Sequence, residues 1–519
     1  MIRKEGGALF ARSQGATTLG VDGVIIDVEV DSANGLPSFD IVGLPDASVK
    51  EAKERVRTAI KNSGLKLKPE RLTVNLAPAN LRKDNPGLDL PIAMGVLAAD
   101  AVIPSEALQD RLFAAELSLE GELRGVNGIL PMAVKAREAG FKEFFTSRHN
   151  ANEALLVDGL TVYAADDLRT LVDFLLGRGE LLPVRTDEAP QTEPPLFADD
   201  FADVQGQFMA KRALEIAAAG GHNVLMSGAP GSGKTMLARR MNSILPDLTP
   251  QEALEVTKIY SIAGLLPPGG GLMRKRPFRS PHHTASTTAL IGGGTFPRPG
   301  EVTLAQHGVL FLDELPEFNK MTLEVLRQPL EDRQVTISRV NATLTFPADF
   351  ILIAAMNPCP CGFRFAEDST HTCTCSPIEI KRYTRKISGP LLDRIDIHIR
   401  VPQVAYKDLS SRQKAESSSS IRERVSAARD RQLERLRPFG LFTNSQMNHA
   451  MMKETCPLGS AAQNLLELAF KKMNLSARSY DRIIKVARTI ADLDGAKDID
   501  AKHIAEAVQM RNDVGLNLE

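Results

Sequence analysis

The stretch Gly228-Ala-Pro-Gly-Ser-Gly-Lys-Thr235 decides how the rest of the chain is read. It follows the apolar run Val224-Leu225-Met226, a predicted strand. It precedes Met236-Leu237-Ala238-Arg239-Arg240, the predicted start of a helix. Strand, glycine-rich loop and helix in that order make a phosphate-binding loop. Glycines let backbone N–H groups turn inward around phosphate oxygens, and the helix N-terminus adds a favourable dipole. Gly228, Ala229, Pro230, Gly231, Ser232, Gly233, Lys234 and Thr235 are therefore candidate ligands of a nucleoside triphosphate. Lys234 is suited to the β- and γ-phosphates, and Thr235 to Mg2+.

Working outward, Gly308-Val-Leu-Phe-Leu-Asp-Glu314 reads as a buried strand ending in two acids. Asp313 would support the metal through its water shell, and Glu314 would polarise the attacking water. A third strand, Phe350-Ile-Leu-Ile-Ala-Ala-Met356, ends at Asn357. That residue is either a simple turn before Pro358 or a sensor of the γ-phosphate. In Gly389-Pro-Leu-Leu-Asp-Arg-Ile-Asp396, Arg394 lies beside two acids. It is either a surface ion pair or a finger for a neighbour's nucleotide. Arg478 opens a basic, amphipathic helix, where the helix dipole disfavours a cation. That misfit points to a phosphate partner.

Composition sets the bounds. A chain of 519 residues accommodates roughly two to four domains. Apolar content of 43% and charged content of 24% are those of an ordinary globular protein. The net charge of -1 neither favours nor excludes nucleic acid, because a neutral chain can still carry a basic face. With no Trp and 5 Tyr, a broad base-stacking platform is not expected. No signal peptide and no membrane-spanning apolar run is expected. The 5 Cys are too few and too clustered for a disulfide scaffold, so a reducing, cytoplasmic location is expected.

An α/β domain is expected over residues 1–176, with strands near Gly23–Val30 and Leu72–Leu76. Its helices are expected at Ala47–Ser63, Leu88–Leu97 and Met132–Ala139. Residues 177–200 are rich in proline and acids and read as a linker. Residues 201–405 form the expected ATPase core, with a cysteine insert at 359–375. Residues 406–420, ending in four serines, read as a mobile connection. Residues 421–519 are expected to form a helical lid.

Several stretches together resemble the magnesium-chelatase-like AAA+ ATPases, and specifically the ComM/YifB family. They are Phe201-Ala-Asp-Val-Gln-Gly-Gln207, the phosphate loop, Arg276-Pro-Phe-Arg-Ser-Pro-His-His-Thr-Ala-Ser286, Leu312-Asp-Glu-Leu-Pro-Glu317, Asn357-Pro-Cys-Pro-Cys-Gly362, Leu391-Leu-Asp-Arg-Ile-Asp396 and Leu475-Ser-Ala-Arg478. The resemblance implies an AAA+ P-loop ATPase with a helical lid, built as a ring, expected to be hexameric. It gives Asn357 the sensor-1 role, Arg394 the arginine-finger role and Arg478 the sensor-2 role. It places Phe201 to Gln207 against the adenine. It implies an ATP-dependent DNA helicase that drives branch migration as incoming DNA is integrated during natural transformation. The competing reading is a chelatase-type ATPase that remodels a protein partner.

Val74-Asn-Leu-Ala-Pro-Ala-Asn80 and Leu88-Asp-Leu-Pro-Ile-Ala93 resemble the Lon-protease-like (ribosomal S5 domain 2-like) fold. The active enzymes need a serine activated by a lysine. Here Gly87 and Leu130 stand near those positions, so proteolysis is not expected. Arg82 and Lys83 are either phosphate contacts or part of a solvated loop.

Arg274, Lys275, Arg276 and Arg279, with Arg333 and Arg339 at a predicted hairpin, are candidate contacts to DNA phosphates. The alternative is solvated charge or subunit contacts. The adjacent His282 and His283 do not suit a metal pair; a structural or nucleotide-coupling role is expected. Cys359, Cys361, Cys373 and Cys375 form two C-x-C pairs, suited to structural zinc or left as redox thiols.

Overall fold

A computed structural model describes residues 9–185, 199–267, 269–294, 297–339, 342–365, 372–404, 415–472 and 476–511. It divides into two compact units. The first holds residues up to 193 together with Ala253–Met273; the second holds Pro194–Glu252 and everything from Arg274 onward. Within the expected ATPase core of 201–405, residues 253–273 fall with the first unit.

The first unit is built on a mixed sheet. Its strands are β1 (Leu9–Leu19), β2 (Asp22–Ala33), β3 (Ser38–Val42), β4 (Arg71–Ala77), β5 (Arg111–Ala114), β6 (Glu143–Ser147) and β7 (Thr161–Ala165). Their order is β3-β4-β2-β1-β5-β6-β7. β1 pairs antiparallel with β2 and parallel with β5. Alternation along β2 buries Ile26, Val28 and Val30 on one face, as a period of two requires.

Helices α1 (Ala47–Asn62), α2 (Asp89–Ala99) and α3 (Ile129–Glu138) lie close to the expected spans, and α4 (Leu168–Leu175) is a further helix of this unit. Every residue of α2 is buried. Its one acid, Asp89, accepts from Arg55 at 2.8 and 3.0 Å. Lys83 is fully buried, and its Nζ donates to the carbonyls of Gly43 at 2.8 Å, Leu76 at 2.9 Å and Pro78. The expected alternatives for Lys83, phosphate contact or solvated loop, are both overturned: three carbonyls hold the ammonium inside the fold. Gly87 and Leu130 are also buried.

The segment 253–273 carries most of α7 (Pro250–Ala263). Ser261 donates from Oγ to Glu153, and its carbonyl accepts from Gly128 N at 3.1 Å. Glu153 also accepts from Leu130 N at 2.7 Å, and burial pushes its carboxyl up.

The second unit centres on five parallel strands: β8 (Val224–Ser227), β9 (Phe278–Arg279), β10 (Val309–Leu312), β13 (Ile351–Met356) and β14 (Ile397–Arg400). Their order is β9-β10-β13-β8-β14. Between β10 and β13 the chain forms an antiparallel hairpin of β11 (Gln334–Arg339) and β12 (Ala342–Pro347), the expected hairpin. β8, β10 and β13 are buried throughout, as parallel strands covered on both faces must be.

Helices α5 (Phe208–Gly220) and α6 (Lys234–Ile244) pack on this sheet. α8 (Pro377–Thr384) follows the cysteine insert. α9 (Ser418–Leu436), α10 (Ser460–Lys472), α11 (Ala477–Leu493) and α12 (Ala501–Gln509) supply Val425, Leu466, Ile483 and Ile504 to the same core as the sheet.

The serine-rich stretch is a second correction. Ser417 caps α9, its side chain accepting from Ser420 N. Ser418 is buried, accepts from Phe201 N at 2.9 Å and meets Ser243 Oγ at 2.7 Å. Serines favour caps because their hydroxyls satisfy orphan helix N–H groups, so this run is anchored and not a mobile connection. Residues 405–414 of that stretch, and 186–198 of the expected linker, lie outside the described residues.

Candidate active site

In a parallel sheet, loops leaving neighbouring strands at their C-terminal ends share one crevice. β10, β13 and β8 are consecutive in the sheet. Asp313 and Glu314 follow β10, Asn357 follows β13, and the phosphate loop follows β8. Three motifs far apart in sequence therefore meet at one edge.

The loop itself depends on glycine. A Cβ on Gly228 would lie 2.3 Å from the Val401 carbonyl oxygen, which no side chain tolerates. Gly233 has φ of 89° and caps the start of α6. Lys234 Nζ donates to the carbonyls of Gly228 at 2.7 Å and Ala229 at 2.9 Å, and reaches Asn357 Oδ1 at 3.3 Å. Burial lowers the Lys234 pKa, with Asp313 acting in the opposite sense. Thr235 Oγ1 donates to Asp313 Oδ2 at 2.7 Å, so hydroxyl and carboxylate are already together where Mg2+ would need both.

Glu314 sits at φ 52°, a left-handed conformation that costs a non-glycine residue about 1–2 kcal/mol. Its N–H donates to Asp313 Oδ1 at 2.9 Å, which holds the turn. Its carboxylate is exposed and lies 3.3 Å from His283 Nδ1. The ring of His283 is in turn packed on His282, 4.1 Å between centroids. His283 thus stands between His282 and Glu314.

Gln207 is the last residue of the segment that the resemblance places against the adenine. Its amide donates to Ser232 O at 3.2 Å and Pro402 O at 2.6 Å, tying the loop to the strand beside it. The expectation that Phe201 lies against the adenine is corrected: its ring is wholly buried in the core.

Arg394 and Arg478 are brought together elsewhere. Arg394 is buried and donates to Pro390 O at 2.7 Å and to Glu331. Arg478, in the first turn of α11, lies 3.6 Å from the same Glu331. They line a cavity of about 390 Å3 whose walls include Arg333, Asp396 and Arg482 but no residue of the phosphate loop, nor Asp313, Glu314 or Asn357. Glu331 carries no sequence signal; only the fold sets it between two arginines. Behind them Asp396 is buried, bonded to Arg482 and 3.5 Å from His222.

The candidate DNA cations divide. Arg276 is internal: it bonds Glu252 at 3.1 Å and the carbonyls of Pro246 at 2.6 Å and His307 at 2.7 Å. Its expected phosphate contact is corrected, since its donors are taken. Arg279 forms two bonds to Glu301, at 2.6 and 2.8 Å, and Arg333 pairs with Asp349 at 3.0 Å. Both are compensated by neighbouring carboxylates, against the expectation of free phosphate contacts. Arg274 is exposed and Lys275 half-buried. The side chain of Arg339 lies outside the described residues.

The four cysteines of the insert converge. Their sulfurs all lie within 4.8 Å of one another, with Cys359 3.3 Å from Cys361 and 3.7 Å from Cys373. A disulfide needs about 2.05 Å. A zinc tetrahedron with Zn–S bonds of about 2.3 Å has sulfur edges of about 3.8 Å, and the observed spacings suit that edge. Burial disfavours the Cys361 thiolate, but the N–H groups of Phe363 and Thr374 outweigh it and hold the thiol at about 6. His371, whose imidazole also suits zinc, lies outside the described residues.

The fold and this site define a P-loop ATPase of the magnesium-chelatase type. Residues 200–409 match the family model for magnesium chelatase, subunit ChlI; residues 28–150 match subunit ChlI of Mg-chelatase; and 415–511 match the ChlI C-terminal model. The chain is 44% identical over 502 residues to competence protein ComM of Haemophilus influenzae, covering 95% of this chain and 96% of that one. It is 43% identical over 495 residues to YifB of Escherichia coli, covering 95% of each. A 67 kDa magnesium-chelatase subunit of Chlorobaculum tepidum is 27% identical over 164 residues, 30% of this chain and 23% of that one. The chain belongs to the ComM/YifB family. Membership implies ATP binding, ATP hydrolysis and an ATP-driven remodelling or translocating activity. Among the described residues, no helix is long and apolar enough to cross a membrane.

Proposed function

We propose that this protein is an ATP-driven DNA motor that promotes branch migration while incoming DNA is recombined during natural transformation, working as a homo-oligomeric ring, hexameric by family resemblance. The observation that carries the ring is the separation of the two arginines from the phosphate loop. Arg394 and Arg478 converge on Glu331 in an open polar cavity none of whose walls belongs to the loop. Arginines that serve phosphoryl transfer from such a position serve the nucleotide of an adjacent protomer, exchanging Glu331 for the γ-phosphate.

Within one protomer the steps follow from the geometry. The loop N–H groups and Lys234 bind the phosphates. Thr235 and Asp313 would hold Mg2+, which supplies charge neutralisation at the β- and γ-oxygens. Glu314 orients and polarises the attacking water, Asn357 senses the γ-phosphate beside Lys234, and His283 positions Glu314. The cysteine cluster holds structural zinc, with Cys359, Cys361, Cys373 and Cys375 as ligands. We place the first unit in the Lon-protease-like class without its catalytic pair, as a scaffold.

DNA as substrate rests on the overall similarity to ComM, a competence protein by name. The test is steady-state ATP hydrolysis with no DNA, linear duplex or a four-way junction, using Lys234→Ala as the blank. Stimulation by the junction, followed by unidirectional strand displacement, supports the motor. Active turnover that no DNA alters sinks it and favours a chelatase-type machine acting on a protein partner.

A further inference from the structure

Among the described residues, exposed cations without an ion pair lie away from the hairpin as well. A groove of about 610 Å3 opens between the loop Pro316–Lys320 and α8. Its walls carry Lys320, Lys381, Arg382, Arg385 and Lys386 against a single carboxylate, Glu317. Lys386 takes that carboxylate at 3.1 Å. Arg382 and Arg385 are exposed and have no ion pair or side-chain hydrogen bond among the described residues. The other acid on this helix, Glu379, is spent on its own cap, accepting from Ser376 N at 2.7 Å and Ser376 Oγ at 2.9 Å. The contrast with Arg276, Arg279 and Arg333 is direct: those three have acids supplied, and these two do not.

The position of the groove is as informative as its charge. One wall continues from Asp313 and Glu314 through Pro316 and Glu317. The other wall is α8, whose N-cap, Ser376, immediately follows Cys375. Cys361 N donates to Cys375 Sγ at 3.4 Å, so the cysteine cluster anchors the base of this helix. In the middle of the groove Ile378 is 81% exposed, an apolar surface between cations. Alternating guanidinium charge and apolar surface suits a chain of phosphates and sugars better than water alone.

We infer that this groove binds the phosphodiester backbone of nucleic acid, with Arg382 and Arg385 as its principal phosphate contacts and the cysteine cluster as the clamp that sets α8. The inference rests on the DNA-motor reading and names the surface that reading lacks. Phosphates bound here touch the same loop that carries Glu314, so DNA engagement and water activation share one structural element. The same phosphate chemistry is offered by the triphosphate of an adjacent protomer, and the experiment separates the two.

The test uses the full chain and its Arg382→Ala/Arg385→Ala and Arg382→Lys/Arg385→Lys variants. Anisotropy of fluorescein-labelled duplex and oligo-dT is measured across a salt series, and KM for ATP is measured in parallel. Thermal melts establish that the variants are folded. The double alanine variant is expected to bind DNA about tenfold more weakly, with a log–log salt slope reduced by about 2. The double lysine variant keeps the slope. Wild-type binding with an unchanged affinity and slope in the alanine variant overturns the groove and leaves the motor reading intact. Intact DNA binding with a raised KM for ATP also overturns it and assigns the groove to a neighbour's nucleotide. Failure of the wild type to bind any DNA overturns the motor reading itself.

Discussion

The phosphate-loop site and the arginine cavity are both made of charged side chains, yet they are built in opposite ways. At the loop, every group finds its partner within the site: Lys234 with Asn357, Thr235 with Asp313, Asp313 with the Glu314 N–H. In the cavity, two arginines share one acid, and the buried Nε of Arg394 has no hydrogen-bond partner. The groups at the first site that face phosphate and metal all bond to one another within a single chain. In the second, Arg394 and Arg478 crowd Glu331, and in the proposed ring a neighbour's γ-phosphate takes the place of that acid. Self-sufficient and open sites answer differently to mutation, and the expected effects rank accordingly.

The largest belongs to the open site. Arg394→Ala is expected to lower kcat by about 10^3–10^5 if the arginine is a finger. Activity should return when Arg394→Ala protomers are mixed with Lys234→Ala protomers, each supplying what the other lacks. Mixed rings that stay inactive at every ratio break the comparison, because the cavity would then serve its own protomer.

Next comes the self-sufficient site. Glu314→Gln is expected to slow hydrolysis by about 10^2–10^4 while ATP still binds. Nucleotide retained through gel filtration checks it; loss of binding would mean that the carboxylate acts on the loop and not on the water.

A third effect concerns stability. Burial raises the Asp396 carboxyl, but Arg482 and His222 outweigh it and hold the group below the usual carboxylate range. On acidification the unfolded chain therefore takes up this proton first. The stabilisation is fully present above the unfolded pKa of about 3.9 and is lost as pH falls toward the folded value. Asp396→Asn leaves the half-buried Arg482 without its carboxylate and is expected to cost about 3 kcal/mol at neutral pH. Melting curves across pH 3–7 check it, and the variant should show a flatter acid limb than the wild type, at about the level set by its other carboxylates.

The smallest effect sharpens the boundary between the sites. His283 touches Glu314 and not the phosphate loop. His283→Ala is expected to lower kcat about tenfold with KM for ATP little changed, since misorienting a catalytic group costs rate before affinity. A KM that rises in step with the loss would show that His283 supports the nucleotide and not the glutamate.

Much of this was legible in one dimension because the chemistry is local. A phosphate loop works through its own backbone, so its spacing carries the signal. The acids after β10 and the Asn after β13 drew notice because each follows a buried strand downstream of a phosphate loop, and the structure brings them beside Thr235 and Lys234. Helices such as Ala477–Leu493 were readable from amphipathic period alone. The insert's cysteines came together as their spacing suggested.

What sequence left open concerns partners distant along the chain. Nothing near Arg276 announces that Glu252 and two carbonyls will consume it, and nothing near Glu331 announces that Arg394 and Arg478 will share it. Lys83 looked like a surface cation until three carbonyls closed around it. The serines at 417–420 resembled a linker by composition, because the same hydroxyl that favours solvent also caps a helix.

Sequence alone therefore determined the ATPase class and the order of strand, loop and helix, and singled out the groups expected to handle phosphate and water. These depend on residue types at short spacing. Only the tertiary structure decided which charges are neutralised, which remain available, and which segment belongs to which unit. Ion pairing is a property of distances between side chains, and a chain brings residues 252 and 276, or 331 and 478, together only after it has folded.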